Sequence, residues 1–434
     1  MKFAIYTLGC KVNQYESQAL ERELLRRGYE EGRFDEVCDL YIVNTCTVTA
    51  VSDKKSRNAL RRARKLNPDA VIGVCGCYAQ VSPEDMEKLP VDVVGGTGQR
   101  GVFIDRMEEF RRTREKSLLV DNALKRREFE VLEPGGLTER TRAMLKVEDG
   151  CVNFCTYCII PYARGAIRSL PLETAVEQAL SLMAQGYREV VVTGIEISSW
   201  GMDLKNGQKP QDLIRAICLA IPDMRVRLGS LEPRTVDREF CEALKDLPNL
   251  CPQFHLSLQS GCDATLKRMN RKYDTARYLL SCDLLREYFP NCAITTDLIV
   301  GFPQETEEEF SATLEFLKTA RFAAMHIFPY SRRTGTPAAK MPGQIPNAEK
   351  ERRAARAGAL EQELRQAYQS QFIGQVLPVL FEQRDEAGLW TGHAPNYVLV
   401  AAAGENLNNR VLDVKITRIT DKGLMGEVLT DPHK

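Results

Sequence analysis

Histidine is nearly absent from this chain, with four residues against fourteen cysteines. That scarcity argues against zinc sites of the mixed cysteine and histidine kind and leaves sites made of cysteine alone. Neither charge is in excess: Lys plus Arg and Asp plus Glu both total 59, so net charge points to no class of partner. No stretch approaches the ~18 consecutive apolar residues of a membrane helix. The opening MKFAIYTLGC holds too short an apolar segment for a secretory signal. A cytoplasmic protein without membrane association is expected. In a reducing compartment fourteen thiols are no disulfide framework, which leaves them as small buried hydrophobes or as metal ligands.

A length of 434 residues with 44% hydrophobic content suits a globular protein. At a soft prior of roughly 150 residues per domain it holds two or three domains. Residues 1–112 alternate strand and helix. The β-prone segments FAIYTL, DLYIVN and AVIGVC are separated by helical periodicity at 14–28 and 51–66, with Asn13 the expected N-cap of the first helix. This is the pattern of a doubly wound α/β domain with a parallel sheet. A charged stretch broken by Pro134-Gly135-Gly136 predicts a linker over 113–136. Residues 137–366 resume the alternation with six strand candidates: MLKV, EVVVTG, RVRLGS, FHLSLQS, AITTDLIVG and AAMHIFPYS. They predict a partial (β/α)6 barrel with its chemistry at the strand C-terminal ends. A charged helix over 347–371 leads to a last domain, 369–434, of five short strands with glycine-marked turns. There Val414 and Ile416 alternate with Asp413, Lys415 and Thr417, the half-buried pattern of a small β-barrel.

Two groups of thiols fall at strand ends. In GCVNFCTYCIIPYARG, Cys151, Cys155 and Cys158 follow the strand MLKV with the spacing Cys-x3-Cys-x2-Cys, so one loop can curl around a single inorganic cluster. No fourth Cys or His lies nearby to close a structural site. In the first domain Cys10 ends the first strand (TLGCKVNQYES) and Cys46 the second (LYIVNTC), while Cys75 and Cys77 compete at the end of the third (AVIGVCGCYAQ). Open parallel sheets bind ligands outside their strand C-termini, so these thiols converge on one rim. Cys75 reads as the last strand residue, whereas Cys77 lies past Gly76, in the loop where a ligand belongs. Between Asp53 and Lys65 seven basic residues stand against one acid, a helix face suited to a polyanion or to solvent.

The triplet resembles the cluster motif of radical S-adenosylmethionine (radical SAM) enzymes. Together with TLGCKVNQYES, VNTCTVT, GCYAQ, HLSLQSGCDATLKRMNRKY, DLIVGFPQETEEEF and FPYSRRTGTPA, it resembles the methylthiotransferase family of those enzymes. The opening stretch is most similar to the branch that acts on threonylcarbamoyladenosine in tRNA. The resemblance implies a flavodoxin-like first domain, a radical SAM barrel and a TRAM-like, RNA-binding C-terminal β-barrel. It implies two [4Fe–4S] clusters, one on Cys151, Cys155 and Cys158 and a second on Cys10, Cys46 and Cys77. It also implies S-adenosylmethionine bound to the open iron of the first, with Tyr157 beside its adenine. Strand-end residues Thr193, Gly194, Ser230, Glu232, Ser257 and Gln259 are candidates for the rest of that pocket.

The implied reaction replaces the C2 hydrogen of the adenosine at tRNA position 37 by a methylthio group. One S-adenosylmethionine methylates a sulfide on the second cluster, and another, cleaved to a 5′-deoxyadenosyl radical, activates the carbon. The expected partners are the tRNA anticodon loop, whose unstacked bases proteins read, and an electron-donating reductase, flavodoxin or ferredoxin. The same cysteines would serve the isopentenyladenosine tRNA branch or the branch that modifies an aspartate of a ribosomal protein. A nucleic-acid-binding protein with structural clusters would need eight ligands, where six stand in motif positions. Glu196, in TGIEISSWG, departs from the expected pattern and carries no assigned role, and no catalytic residue is assigned.

Overall fold

The structure, a computed structural model, describes residues 1–135 and 141–429. In the first domain six parallel strands pair in the order Glu30–Glu31, Lys2–Thr7, Leu40–Thr45, Val71–Gly76, Val93–Gly95, Ser117–Leu119. This is the flavodoxin-like order, which changes direction between Lys2–Thr7 and Leu40–Thr45 and opens a crevice there. Leu20 and Leu24 of helix Lys11–Arg26 and Phe103, Ile104 and Met107 of helix Arg100–Thr113 pack on one face. Ala59, Leu60 and Ala63 of helix Ala50–Leu66 pack on the other. The short strand Ser117–Leu119 lies in the stretch expected to be a linker. Three half-exposed edge residues carry too little periodicity to announce a strand. Asn13 is not the N-cap, because the helix begins at Lys11 with Cys10 in the capping position. Asn13 is instead buried, and its Nδ2 donates to the carbonyls of Leu8 (2.7 Å) and Thr45 (2.9 Å), tying two strand ends together. Gly136 of the predicted break, the predicted domain start at 137 and residues 430–434 lie outside the described residues.

In the central domain, strands Arg142–Lys146, Glu189–Thr193, Arg225–Leu228, Ser230–Leu231, Gln253–Leu256, Ala293–Val300 and Ala324–Pro329 follow one another in parallel. The predicted strand RVRLGS is split. Arg225–Leu228 pairs with Glu189–Thr193, whereas Ser230–Leu231 pairs with Gln253–Leu256, so the sheet curls between them. Side chains alternate across each strand. Leu145, Val190, Val226, Phe254 and Leu298 face outward into the core beneath the helices, and Lys146, Val191, Arg227, His255 and Asp297 take the inner face. Among the described residues the first and last strands do not pair, and the barrel stays open. The first domain packs along this opening, with Glu16 on Lys146 at 3.1 Å and Asp53 on Arg333 at 2.6 Å.

The C-terminal strands close into a five-stranded barrel in the order Val376–Arg384, Trp390–His393, Leu399–Ala402, Gly423–Val428, Val411–Thr420. Val414 and Ile416 are buried between exposed Asp413, Lys415 and Thr417, as the alternation predicts. This barrel docks on the N-terminal ends of the central strands. Arg142 pairs with Glu382 at 2.7 Å, and Arg225 and Arg227 donate to the carbonyls of Pro378 and Pro395 at 2.8 Å each.

Candidate active site between two cysteine triads

Cys10 and Cys46 follow the two strands that flank the crevice. Gly9, at φ +109°, brings them together: a side chain there would put its Cβ 2.8 Å from Cys46 Cβ and 3.0 Å from its sulfur. Gly76, at φ +95°, turns the third strand into helix Cys77–Val81, and a Cβ on it would lie 2.4 Å from the Thr45 carbonyl. Cys10 is exposed, while Cys46 and Cys77 are buried. The charges of Cys46 and Cys10 both act on the Cys77 thiol, which burial pushes up to about 12. Cys75 points the other way, into the apolar layer with Phe103, Ile104 and Met107. The turn at Gly76 divides the two competing cysteines: Cys75, still in the strand, fills the core, and Cys77, past the turn, opens the helix at the rim.

The second triad occupies the loop after Arg142–Lys146. Cys158 N donates to the Cys155 carbonyl at 2.9 Å, and the three thiols act on one another. Burial pushes the Cys158 thiol up to about 12. Arg271 Nη1 donates to Cys155 Sγ at 3.2 Å and its Nε to the Tyr273 hydroxyl at 2.9 Å. Glu196, left without a role by sequence, has Oε2 4.0 Å from Cys151 Sγ. Burial first, then the nearby Glu232 carboxylate, pushes Glu196 up to about 7.

Arg164 links the triads. Six residues after Cys158 and fully buried, it donates from Nε to Cys77 Sγ at 3.4 Å and from Nη2 to Asn13 Oδ1 at 2.7 Å. It shares Glu16 with Arg100 (2.6 Å) and Lys146 (3.1 Å), while Asp149 holds Lys146 (2.7 Å) and Arg168 (3.2 Å). Four buried cations therefore surround two buried carboxylates, with Glu130 at the edge of the group. Such a surplus suits an anionic neighbour at Cys77. Each triad offers three thiols and a guanidinium donor, the donor set of an iron–sulfur cluster with one open iron. Among the described residues no three His, Cys, Asp or Glu side chains converge as the ligands of a single ion do. A cluster several atoms wide asks instead for thiols spread around a volume. The raised thiols of Cys46, Cys77, Cys151 and Cys158 mean that metal binding there must displace protons.

A cavity of about 200 Å³ lies against Cys158 of the second triad, walled also by Val48 and Thr49, which follow Cys46, and by Tyr157, Gln259 and Asp297. Of the residues proposed from sequence for the S-adenosylmethionine pocket, Tyr157 and Gln259 line it. Glu232 is buried and paired with Arg234 at 2.9 Å, acting at a distance on Glu196. The Ser257 carbonyl accepts from Arg271 at 3.4 Å, and Gly194 lies against Glu148. The structure therefore gathers Tyr157, Gln259 and Cys158, and leaves Gly194, Glu232 and Ser257 outside this wall. Sequence reading passed over Arg164, Arg271, Glu16 and Asp297. Arg164 and Arg271 lie within the quoted segments CIIPYARG and RMNRKY, but nothing local marks an arginine as a sulfur donor. Asp297 stands between two of the four histidines, His255 (3.3 Å) and His326 (3.6 Å).

A second cavity, of about 480 Å³, opens between the first domain, the inner face of the central sheet and the C-terminal barrel. Lys11, Gln14, Gln18, Arg142, Arg227 and Tyr397 are among its walls. Asp297, on the wall of the first cavity, also acts electrostatically on Lys11 in the second.

Sequence families match all three domains: the radical SAM superfamily over residues 145–317, uncharacterized protein family UPF0004 over 2–96 and the TRAM domain over 370–429. An open parallel barrel with three cysteines after its first strand, matched by that superfamily, defines a radical SAM enzyme, which works with an iron–sulfur cluster and S-adenosylmethionine. Threonylcarbamoyladenosine tRNA methylthiotransferase MtaB of Bacillus subtilis (strain 168) is 40% identical over 421 residues, 96% of this chain and 93% of that one. The chain belongs to the MtaB-type methylthiotransferase family. MtaB of Thermotoga maritima is 37% identical, covering 97% of this chain and 95% of its own. The tRNA-2-methylthio-N(6)-dimethylallyladenosine synthase of Clostridium beijerinckii is 34% identical, covering 98% and 95%. Among solved structures, the radical S-adenosylmethionine methyltransferase TsrM from Kitasatospora setae, with cobalamin and [4Fe–4S] cluster bound, superposes with a TM-score of 0.57. It shares 16% identity over 78% of this chain and 76% of that one, a likeness of fold alone.

Proposed function

We propose that the chain converts N6-threonylcarbamoyladenosine at tRNA position 37 to its 2-methylthio derivative, using two [4Fe–4S] clusters. The observation that carries this reading is the presence of two three-thiol sets, each with its own guanidinium donor, one reaching a cavity through Cys158 and the other through Val48 and Thr49 just after Cys46. In this reading Cys151, Cys155 and Cys158 hold the cluster that engages S-adenosylmethionine, and Cys10, Cys46 and Cys77 hold the second. When bound, these groups supply the radical that opens an unactivated aromatic C–H bond and the methylated sulfur that replaces the hydrogen. The chain's own residues do the rest. Arg271 and Arg164 direct N–H groups at Cys155 and Cys77 and offset negative charge on sulfur. Tyr157 and Gln259 line the wall beside Cys158 and position the adenosyl part of S-adenosylmethionine. Cys46 and Cys77 of one triad and Cys155 of the other are buried, which limits water at the reactive centre.

The tRNA reaches the site from outside both domains. Lys54, Lys55, Arg61, Arg62 and Lys65 of helix Ala50–Leu66 are exposed and serve as phosphate contacts together with the C-terminal barrel. Arg57 and Arg64 of the same helix are tied inward, to the Tyr78 hydroxyl at 2.9 Å and to Asp92 at 2.7 Å. A low-potential one-electron donor of the flavodoxin, ferredoxin or reductase kind feeds the clusters. No described helix is long and apolar enough to cross a membrane, in keeping with a cytoplasmic site of action.

Nucleoside analysis of tRNA from cells with and without the gene tests the substrate: 2-methylthio-N6-threonylcarbamoyladenosine should disappear with the gene, and an unchanged level refutes the assignment. Anaerobic reconstitution tests the ligands. About eight irons per chain are expected for two such clusters. Cys77→Ala should lower this to about four while Cys75→Ala keeps about eight, and the opposite result overturns the assignment of the first triad.

A further inference from the structure

The second cavity carries a charge that the chain does not neutralise. Of its three cations, Arg142 is paired with Glu382 at 2.7 Å and Arg227 with Glu189 through hydrogen bonds of 2.7 and 2.9 Å. Lys11 makes no hydrogen bond or ion pair among the described residues, although it is only partly exposed and stands next to Cys10. Gln14 and Gln18, one and two turns further along the same helix, add unspent amide groups to that wall. Burial, then Arg227 and Arg142, push the Lys11 ammonium down to about 8, only partly offset by Glu189 and Asp297, a cost that a ligand anion would relieve.

The substrate class supplies one. In adenine, C2 and the carbon bearing N6 flank the same ring nitrogen, so a base with C2 presented between the triads projects its N6 substituent to one side. The threonylcarbamoyl group ends in a carboxylate and a hydroxyl. A dimethylallyl group ends in hydrocarbon and would call for a mostly apolar wall, whereas here Met144 and Val191 are the aliphatic members.

Resting on the substrate reading above, we propose that this cavity receives the threonine part of the N6 substituent and that the Lys11 ammonium binds its carboxylate. Lys11 is then a specificity-determining residue. It is the first residue of the helix that Cys10 caps, so the segment that holds the sulfur donor also reads the group on the base.

The test uses cluster-loaded protein and anticodon stem-loops carrying N6-threonylcarbamoyladenosine, its methyl ester or N6-dimethylallyladenosine, with affinity read by fluorescence anisotropy. The wild-type chain should prefer the acid over the ester by about tenfold to a hundredfold, the size of a charge-assisted hydrogen bond in a part-buried site. Lys11→Met should abolish that preference and Lys11→Arg should keep most of it. The acid-to-ester ratio is taken within each protein, so any change in cluster loading next to Cys10 cancels from it. Equal affinity of the wild-type chain for acid and ester overturns carboxylate recognition, and a full preference retained by Lys11→Met overturns the role of Lys11. Failure of the substrate reading looks different: the wild-type enzyme would methylthiolate the dimethylallyl stem-loop and leave the threonylcarbamoyl one unchanged, whatever the acid-to-ester ratio.

Discussion

Replacing Glu16 by Gln should loosen the first domain from the central barrel. Glu16 is fully buried and receives Arg100 at 2.6 Å, Arg164 Nη2 at 3.1 Å and Lys146 at 3.1 Å. Burial alone would raise its carboxyl, yet Arg100, Arg164 and Lys146 hold it well below the ordinary range. Glutamine keeps the shape and one acceptor but removes the charge, leaving three buried cations to Asp149 and the half-buried Glu130. Removing one partner of a buried ion pair costs about 3–5 kcal/mol, because the remaining charges stay desolvated. At the lower bound, ~3 kcal/mol corresponds to more than a hundredfold faster opening. Hydrogen exchange of the amides in helix Lys11–Arg26 measures this directly. The control is Glu23→Gln in the same helix, whose carboxylate meets Arg26 and Arg27 at 2.7 Å near the surface. Screened pairs of that kind contribute about 0–1 kcal/mol. Because Arg164 also donates to Cys77, Glu16→Gln should in addition lower iron bound at the first triad. Equal exchange rates in the two variants, with iron unchanged, would refute the view that this charge group joins the domains.

Three further outcomes are expected. Burial raises the Glu382 carboxyl, but its bonds to His393 and Arg142 outweigh this and hold it below its ordinary value. The stability it contributes is present above the unfolded carboxylate value of about 4.3 and is lost as pH falls through the folded one, so thermal melts of Glu382→Gln should decline less on acidification from pH ~5 than those of wild type. Arg271→Leu should keep the iron of the second triad but lower its reduction potential in an EPR-monitored titration, since an N–H donor to sulfur favours the more negative, reduced state. An unchanged potential would make Arg271 a packing residue only. Neutralising Lys54, Lys55, Arg61, Arg62 and Lys65 together should flatten the dependence of log affinity for tRNA on log salt by about 0.7–0.9 for each phosphate that the helix no longer neutralises, and an identical slope would leave that helix facing solvent.

Much of the architecture is legible from periodicity. Strands of four or more residues announced themselves by composition and by the helices between them, and the C-terminal barrel by the alternation at Val414 and Ile416. What escaped has physical reasons. Ser117–Leu119 is a short edge strand, and an edge of three half-exposed residues leaves no pattern. Asn13 has the side chain of a helix cap, but a tertiary demand outranked the local preference: two carbonyls at strand ends and the Arg164 guanidinium needed a buried amide.

The cysteine triplet is local, since three thiols in eight residues of one loop must lie together wherever that loop goes, and spacing alone makes them a candidate cluster site. Cys10, Cys46 and Cys77 are also visible in sequence, because parallel strands bring their C-terminal ends to one rim. The positive-φ turn at Gly76, from strand into helix, is what separates Cys77 from Cys75. The partners that come from distant segments were not visible at all: Arg164 on Cys77, Arg271 on Cys155, Glu16 among the cations of another domain, Lys11 in a cavity bounded by three domains. Backbone periodicity and short-range spacing are written along the chain, whereas a charge acquires its meaning from what stands within a few ångströms of it, and only folding supplies those neighbours.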